Sequence, residues 1–256
     1  MLAKERQNRI CQLLQKSGAV TTTGLVERFG VSLETVRRDL LALECDGKLS
    51  RVHGGAVAAV QMQPYPELPQ RNQSYSTQKY ALSAAAADFV QEGDIIAVDS
   101  GSTATVFAQV LKERFQDLTV VTYSRDVFEL LCDRFAVILC SGHYIREERS
   151  FYGPLALDTL SKLHVRKAFV CPSAVSLEFG ICDYQQAIYP LQKQLLQCAD
   201  AVFILADSKK FEKKALYQIE QTKGEYRYIT DSELPEEFEK LYRENGICIE
   251  TGGITK

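Results

Sequence analysis

The chain has 256 residues, of which 46% are hydrophobic and 25% are charged, and its formal net charge is −3. These proportions are typical of globular proteins and exclude a wholly disordered, collagen-like or low-complexity chain. No apolar run approaches the length of a membrane span, and the charged N-terminus leads into no signal-peptide core. We therefore expect a cytoplasmic protein with no membrane partner.

The charge is distributed unevenly along the chain. Residues 1–57 carry nine Lys/Arg against six Asp/Glu, a net charge of +3, whereas the remainder carries −6. A small basic head on a larger acidic body is what nucleic-acid binding by one domain requires. The eight cysteines form no CxxC pair and the three histidines are scattered, so we expect no metal, no cofactor and buried free thiols.

Residues 1–58 predict three short helices followed by a β-hairpin. Apolar residues line one face of the first helix, over roughly Lys4–Lys16, and the Thr21–Thr23 run provides N-cap candidates for the second. Ser32 is predicted to cap the third helix, which presents Val36, Leu40 and Leu43 on one face. The order is that of a helix-turn-helix with a small wing.

The third helix has the chemistry of a recognition helix. Small polar residues at its start permit close approach to the major groove, and the arginines that follow can reach guanine edges or phosphates. Two residues of the wing are placed to contact the DNA backbone or minor groove. The predicted DNA-binding residues are Ser32, Thr35, Arg37, Arg38, Arg51 and His53.

Residues 59–76 carry three of the seven prolines, which predicts a semi-rigid linker. Residues 77–256 then alternate short apolar runs with helical stretches, as in an α/β domain with a mostly parallel sheet. The predicted strands are Ile95–Asp99, Leu118–Thr122, Phe135–Ser141, Lys167–Cys171, Ala201–Ala206 and Arg227–Thr230. The predicted helices are Lys79–Gln91, Thr103–Arg114, Arg125–Cys132, Pro154–Leu163 and Gln185–Cys198.

One long pattern of residues runs through the head. It consists of Arg6, Ile10, Leu14, Gly18, Val20, Leu25, Phe29, Val31, Ser32, Thr35, Val36, Arg37, Arg38, Asp39, Leu40, Leu43, Glu44, Gly47, Leu49, Arg51, His53, Gly54, Gly55 and Ala56. This pattern resembles the signature of the DeoR family of bacterial transcriptional regulators, and the likeness continues less closely to about residue 249. The resemblance implies a winged helix-turn-helix that binds an operator, and a sensor domain similar to ribose-5-phosphate isomerase and the coenzyme A transferases that typically binds a phosphorylated sugar.

A candidate effector pocket lies at the ends of the predicted strands. Residues 99–103, Asp-Ser-Gly-Ser-Thr, follow a strand and open a helix, an arrangement that favours a phosphate or another anion. Other polar groups follow neighbouring strands, where the ligands of open α/β sheets collect. The resemblance also implies a role for the first of these segments in a sugar-phosphate pocket. The predicted effector-binding residues are Asp99, Ser100, Gly101, Ser102, Thr103, Thr122, Ser124, Arg146, Gly153, Asp207 and Lys210.

The pocket also departs from the family pattern. The family usually has Asn at the position of Tyr123, Gly-Gly at Ser141–Gly142, and Gly near Cys171–Pro172. In many members of the family an acidic residue and a Lys precede the Ala-Asp-Ser segment. Counting back 15 positions from Asp207 gives Gln192, with Lys193 beside it and Ile188 at the position of the acid. We therefore expect the phosphate end of the pocket to be retained and the end that contacts the rest of the ligand to be altered.

Three functions fit the sequence. The leading one is a ligand-controlled transcriptional regulator, acting as a repressor on double-stranded operator DNA as a homodimer or homotetramer. In the second, the body only oligomerises and senses nothing. The third is an isomerase-like enzyme with Asp99 or Asp207 as the general base. Because a DNA-binding head makes a sensor more economical, we expect no enzymatic activity.

Overall fold

The computed structural model describes residues 3–17, 19–45, 49–52, 55–58 and 66–253. The chain divides into two compact units, Met1–Pro66 and Glu67–Lys256. Of the predicted linker 59–76, residues 59–65 lie outside the described residues. The part from 67 to 76 belongs to the second unit and holds a short helix, whose Leu68 is fully buried.

The first unit contains three helices and a small antiparallel sheet, as the sequence predicts. Its buried core includes Ile10, Leu25 and Val36, one from each helix. The strand between the first two helices is not predicted from the sequence, and it completes the sheet in the order β1-β3-β2. The elements are α1 (Ala3–Ser17), β1 (Ala19–Thr21), α2 (Thr22–Phe29), α3 (Leu33–Cys45), β2 (Leu49–Val52) and β3 (Gly55–Ala58).

Side-chain capping and one buried ion pair fix these helices. The Thr21 hydroxyl accepts a hydrogen bond from the Gly24 amide at 3.2 Å, so it caps α2 as expected. The second helix ends at Gly30, whose φ of +62° lies in the left-handed region that glycine adopts without strain. Arg6 on α1 pairs with Asp39 on α3, and both side chains are more than nine-tenths buried.

The second unit is built around a seven-stranded parallel sheet with the order β15-β14-β12-β9-β4-β5-β6. Six of these strands match the six predicted, so the predicted fold class is confirmed. The strands of the sheet are β4 (Ile95–Val98), β5 (Thr119–Thr122), β6 (Ala136–Leu139), β9 (Val165–Val170), β12 (Ala199–Leu205), β14 (Arg227–Asp231) and β15 (Ile249–Gly252).

Helices cover both faces of this sheet. One apolar core joins the sheet to α5, α6 and α7, and the other joins it to α8, α9 and α10. Near-continuous apolar strands are expected when both faces of a parallel sheet are buried. The helices of this unit are α4 (Leu68–Gln73), α5 (Ser76–Ala87), α6 (Ser102–Arg114), α7 (Arg125–Leu131), α8 (Pro154–Ser161), α9 (Tyr189–Gln197) and α10 (Glu236–Glu244).

Several elements of this unit are not predicted from the sequence. The last strand, β15, approaches α5 so closely that a Cβ on Gly252 would lie 2.4 Å from the carbonyl oxygen of Ala81. Helix α10 and two small antiparallel sheets are also additional, and their strands of three or four residues leave little periodicity to detect. The short strands are β7 (His143–Ile145), β8 (Ser150–Tyr152), β10 (Ala174–Ser176), β11 (Gly180–Asp183) and β13 (Tyr217–Glu220).

The cysteines differ partly from expectation. Four of them are buried in the second unit, but Cys132 and Cys248 are exposed, because they lie at the end of α7 and just before β15. Among the four buried thiols, burial raises the pKa of Cys140 and of Cys198 to about 11. Across the described ranges, no helix combines the length and the apolar character that crossing a bilayer needs.

Candidate functional site

The exposed face of α3 carries the two arginines of the predicted recognition helix. Arg37 and Arg38 are both exposed, whereas Val36 and Leu40 of the same helix are buried in the core of the first unit. The next residue, Asp39, is buried instead and accepts hydrogen bonds from Arg6 and from Gln7 Nε2, the latter at 3.3 Å. The buried side of α3 is thus held by the contacts of Asp39, and the opposite side presents Arg37 and Arg38 to solvent.

The start of α3 is held by its own small polar residues. The Ser32 hydroxyl lies 3.2 Å from the Thr35 amide, which donates to it, and 2.9 Å from the Thr35 hydroxyl. This is the N-cap that the sequence predicts. Both predicted DNA-binding hydroxyls are therefore engaged in capping, and Ser32 is exposed at the end of the helix.

Of the two predicted wing contacts, Arg51 is described and His53 lies outside the described residues. Arg51 is exposed on β2, and its amide donates to Glu44 Oε1 at 2.8 Å. The Arg51 Nε lies 3.9 Å from Glu44 Oε2, a loose and exposed ion pair. Such a pair contributes little stability and leaves the guanidinium available to a phosphate.

In the second unit, Asp99 directly follows β4 and is completely buried. Its Oδ1 accepts hydrogen bonds from the Ser100 amide at 2.7 Å and from the hydroxyl of Tyr123. Its Oδ2 accepts from the Cys171 amide at 2.7 Å and from Gln192 Nε2 at 3.0 Å. Burial raises the pKa of Asp99, and these four hydrogen bonds oppose that shift. The carboxyl group therefore holds three strand ends and α9 together.

A second carboxyl group shares the Gln192 amide. Asp183, at the end of β11, accepts from Gln192 Nε2 at 3.2 Å and from the Ser173 hydroxyl at 3.0 Å. Gln192 Oε1 is buried and has no hydrogen-bond partner among the described residues. Tyr123 and Gln192, two of the departures from the family pattern, thus fill the space beside Asp99 with their own contacts.

The start of α6 follows directly from Asp99. Gly101 has a φ of +92°, a conformation that favours glycine, and it is the N-cap of this 13-residue helix. Ser102 and Thr103 follow and are buried, and the Thr103 hydroxyl has no hydrogen-bond partner among the residues described. The backbone turn and the hydroxyls expected for an anion site are therefore present.

Three cations lie near this helix start, of which the sequence prediction includes only Lys210. Lys210 Nζ donates to the Pro172 carbonyl at 2.8 Å, next to Cys171. Lys79 is 3% exposed, and its pKa is lowered to about 8 by burial and by the nearby positive charge of Lys210. Arg71 Nη1 would lie 3.4 Å from a Cβ placed on Gly101. Arg71 and Lys79 fall in the predicted linker and in a predicted helix, where no sequence signal distinguishes them.

The remaining predicted effector residues are only partly brought together. Thr122 and Ser124 are buried at the end of β5, where Ser124 caps α7 by accepting from the Val127 amide at 3.3 Å. Gly153 is the N-cap of α8, and Asp207 caps the 3₁₀ turn Ser208–Lys210. Arg146 is exposed in the turn between β7 and β8. Its neighbour Glu148, which the prediction omits, is the residue of that turn that is buried.

Within the described part of the chain, no group of three or more His, Cys, Asp or Glu side chains is placed to hold a metal ion. The chemistry available near Gly101 is that of cations, hydroxyls and backbone amides at a helix start. These groups suit an anionic ligand.

Two family models match the chain. One describes a DeoR-like helix-turn-helix domain and matches residues 6–61, and the other describes the DeoR C terminal sensor domain and matches residues 74–232. Together they span both units of the structure.

Individual relatives agree with these matches. An HTH-type transcriptional regulator of Bacillus subtilis is 33% identical over 236 residues, covering 91% of each chain. The lactose phosphotransferase system repressor of Streptococcus mutans is 32% identical, covering 94% of this chain and 97% of its own. Among solved structures, ribose 5 phosphate isomerase A from Neisseria gonorrhoeae matches 53% of each chain, with 18% identity and a TM-score of 0.40.

Proposed function

Because this chain belongs to the DeoR family of transcriptional regulators, we propose that it represses genes of carbohydrate metabolism and releases its operator when a phosphorylated sugar or related metabolite binds. The observation that carries the proposal is α3, whose capped start and exposed Arg37 and Arg38 lie in a unit matched by the DeoR-like helix-turn-helix. The lactose phosphotransferase system repressor of Streptococcus mutans, a relative over nearly the whole chain, supports a sugar-related gene set.

The DNA contacts follow from the geometry of the first unit. Arg37 and Arg38 are assigned to base edges or phosphates in the major groove, because they lie on the solvent side of α3. Arg51 on the wing is assigned to the backbone, as is His53 from its sequence position. Ser32 and Thr35 bring the helix end close to DNA through their small size.

The effector's phosphate is assigned to the start of α6. Ser100, Gly101, Ser102 and Thr103 provide hydroxyls and backbone amides there, and Lys210 lies nearby. The helix N-terminus favours an anion, and cations add to this attraction when water is excluded. The effector class is a phosphorylated small metabolite, with its sugar end read by residues that differ from the usual family pattern.

The test is an electrophoretic mobility shift with the purified full chain and DNA from upstream of its own gene. We expect a specific shift that one member of a panel of sugar phosphates abolishes, while the matched unphosphorylated sugars leave it intact. A shift that no sugar phosphate changes would contradict the sensor role. The absence of any specific shift on neighbouring intergenic DNA would contradict the regulator role.

A second function keeps the DNA binding and makes the second unit an oligomerisation module. The observation that favours it is the Tyr123 and Gln192 pair, which satisfies Asp99 internally and occupies space beside it. A ligand that binds the folded protein must raise its apparent stability. Thermal-shift measurements with the panel of sugar phosphates therefore distinguish the sensor from the oligomerisation module. An oligomerisation module gains no stability from any sugar phosphate.

An isomerase-like activity receives less support from the geometry. A general base must be free to reach a substrate proton. Asp99 accepts four hydrogen bonds from the protein, and Asp207 accepts from the Lys209 amide at 3.2 Å as an N-cap. The matched relatives are transcriptional regulators, so we assign no enzymatic function to this chain.

A homodimer or homotetramer in the cytoplasm completes the proposal. One winged head reads few base pairs, and specific affinity generally needs two half-sites presented by a symmetric protein. Light scattering at micromolar concentration should give at least twice the chain mass of 28.7 kDa. A monomer that binds the operator tightly would contradict this assembly. The cytoplasmic location follows from the function, because operator DNA lies there in bacteria.

A further inference from the structure

Arg71 on α4 faces two different partners at once. It forms an ion pair with Glu148, and the two side chains are only 13% and 6% exposed. The same guanidinium lies against the start of α6, since its Nη1 would be 3.4 Å from a Cβ on Gly101. A guanidinium offers five donors in a planar fork, so it can serve a carboxylate or a phosphate in this position.

Glu148 is held in position by the surrounding structure. It lies in the turn between β7 and β8, which is joined to the end of β5 by a hydrogen bond of 2.8 Å from the Phe151 amide to the Tyr123 carbonyl. Gln185 Nε2 donates to Glu148 Oε1 at 3.1 Å. Burial raises the pKa of Glu148, and the adjacent Arg71 opposes that shift. The carboxyl group is therefore a buried acid whose charge depends on Arg71.

The end of α4 is tied to the other cations of the site. Lys79 Nζ donates to the Ser74 carbonyl at 2.6 Å and to the carbonyl of Arg71 itself. Lys79 lies close enough to Lys210 for the charge of Lys210 to lower its pKa. Helix α4 also begins the second unit, directly after the segment that leads from the first unit along the chain. A change in the partners of Arg71 therefore acts on α4, the first helix after the segment that connects the two units along the chain.

We propose that Glu148 is a built-in competitor of the effector's phosphate for Arg71, so that effector binding exchanges one partner of α4 for another. The inference rests on the proposed phosphate site at the start of α6 and specifies how that site is regulated. In both states the guanidinium has a charge-assisted anionic partner, so the exchange changes the state of α4 without removing the anionic partner of Arg71. A ligand shifts such an equilibrium only by its differential affinity for the two states, which the exchange of partners supplies.

The test is a double-mutant cycle on the full chain, with inorganic phosphate as the probe and isothermal titration calorimetry as the readout. Glu148→Gln should tighten phosphate binding at least about fivefold, and Arg71→Gln should weaken it by a similar factor. The double variant should bind as Arg71→Gln does, because no competition remains once Arg71 is absent. Glu147→Gln, an exposed acid in the same turn, is the matched control and should bind as the wild type.

Simple repulsion between Glu148 and phosphate gives a different pattern. Removal of the charge would then tighten binding equally with and without Arg71, and this result would overturn the proposal. Glu148→Asp is a second variant that keeps the charge but withdraws it from Arg71. It should tighten binding if the two compete, and unchanged binding by a folded Glu148→Asp protein also overturns the proposal.

The proposed function and the competition between Glu148 and phosphate are tested independently of each other. If sugar phosphates release the operator but Glu148→Gln and Arg71→Gln bind phosphate as the wild type does, the competition is refuted and the sensor remains. If neither the wild type nor Glu148→Gln binds inorganic phosphate, the competition is also refuted. The operator-release assay then decides independently whether the second unit is a sensor.

Discussion

Gln192 donates a hydrogen bond of 3.0 Å from Nε2 to Oδ2 of Asp99, and the same nitrogen lies 3.2 Å from Oδ2 of Asp183. All three side chains are at least nine-tenths buried. One amide on α9 therefore joins two carboxyl groups, one directly after β4 and the other at the end of β11. A buried carboxyl group that loses a donor retains its desolvation cost, so this amide has a structural task.

The first prediction concerns this amide. Gln192→Ala should lower the free energy of unfolding by about 1–3 kcal/mol, because it removes one hydrogen-bond donor from each of two buried carboxyl groups. Gln197→Ala, an exposed position on the same helix, should change it by less than about 0.5 kcal/mol. Urea unfolding followed by circular dichroism measures both. Equal stability of the two variants would show that α9 does not depend on this contact.

The second prediction concerns the buried ion pair of the first unit. Asp39→Ala should destabilise that unit by about 3–5 kcal/mol, because it removes one partner of a buried ion pair. Arg9→Ala breaks only the exposed pair of Arg9 with Glu5 and should cost less than about 1 kcal/mol. Thermal unfolding by circular dichroism compares them. A wild-type melting curve for Asp39→Ala would mean that the pair contributes nothing to the fold.

The sequence predicts the sheet of the second unit well because its strands are buried on both faces and read as short apolar runs. Six of its seven strands are found in this way, and the helices between them lie within a few residues of their predicted bounds. The short strands β7 and β10 escape detection, because three residues carry no period. Ser32 and Thr21 cap their helices as predicted, since capping depends on residues close in sequence.

The candidate effector site is less predictable, because it depends on contacts between distant positions. Asp99 and Gly101 are recognised from the strand-to-helix step that contains them. Arg71 reaches Glu148 across 77 positions of the chain, and nothing local in either segment indicates the pairing. The sequence prediction even assigns Arg71 to a semi-rigid linker, although it lies in a helix of the second unit.

The third prediction concerns the DNA contacts of α3. Arg37→Ala or Arg38→Ala should each weaken operator binding by about 1–3 kcal/mol, the usual cost of losing one good base contact. Neither side chain is part of the buried core, so circular dichroism should show unchanged folding. Arg9→Ala is the matched arginine control on α1. If both α3 variants bind as tightly as Arg9→Ala in fluorescence anisotropy, these arginines are outside the interface.

The fourth prediction concerns pH. Burial and the charge of Lys210 lower the pKa of Lys79 to about 8, so Lys79 loses its positive charge as the pH rises through this value. The affinity of the wild type for inorganic phosphate should therefore fall between about pH 8 and about pH 9.5, a range in which the phosphate is almost entirely dianionic. Lys79→Gln should bind more weakly at the lower pH and show a flatter profile, as calorimetry with inorganic phosphate would measure.

Lys209→Gln is the control for that profile, because Lys209 is exposed and pairs with Glu233. Its pH dependence should match that of the wild type. A Lys79→Gln protein that retains the full decline in affinity would locate the titrating group elsewhere.

The last prediction concerns the coupling between effector and operator. An effector changes DNA affinity only if it prefers one state of the protein, and typical coupling energies of about 1–3 kcal/mol correspond to a loosening of about 5–150-fold. By reciprocity, operator DNA should weaken effector binding by the same factor. Calorimetry with one sugar in phosphorylated and unphosphorylated forms, with and without operator, measures both. We expect the wild type to prefer the phosphorylated form.

Lys210→Ala should lose that preference, and Ser102→Ala should reduce affinity for the phosphorylated form, because one removes a cation and the other a hydroxyl at the start of α6. An isolated ion pair in water contributes only about 0–1 kcal/mol, so Lys210 must act together with the buried helix start. Lys209→Ala, its exposed neighbour, should behave as the wild type. If Lys210→Ala and Ser102→Ala bind the phosphorylated sugar as Lys209→Ala does, the phosphate does not lie at the start of α6.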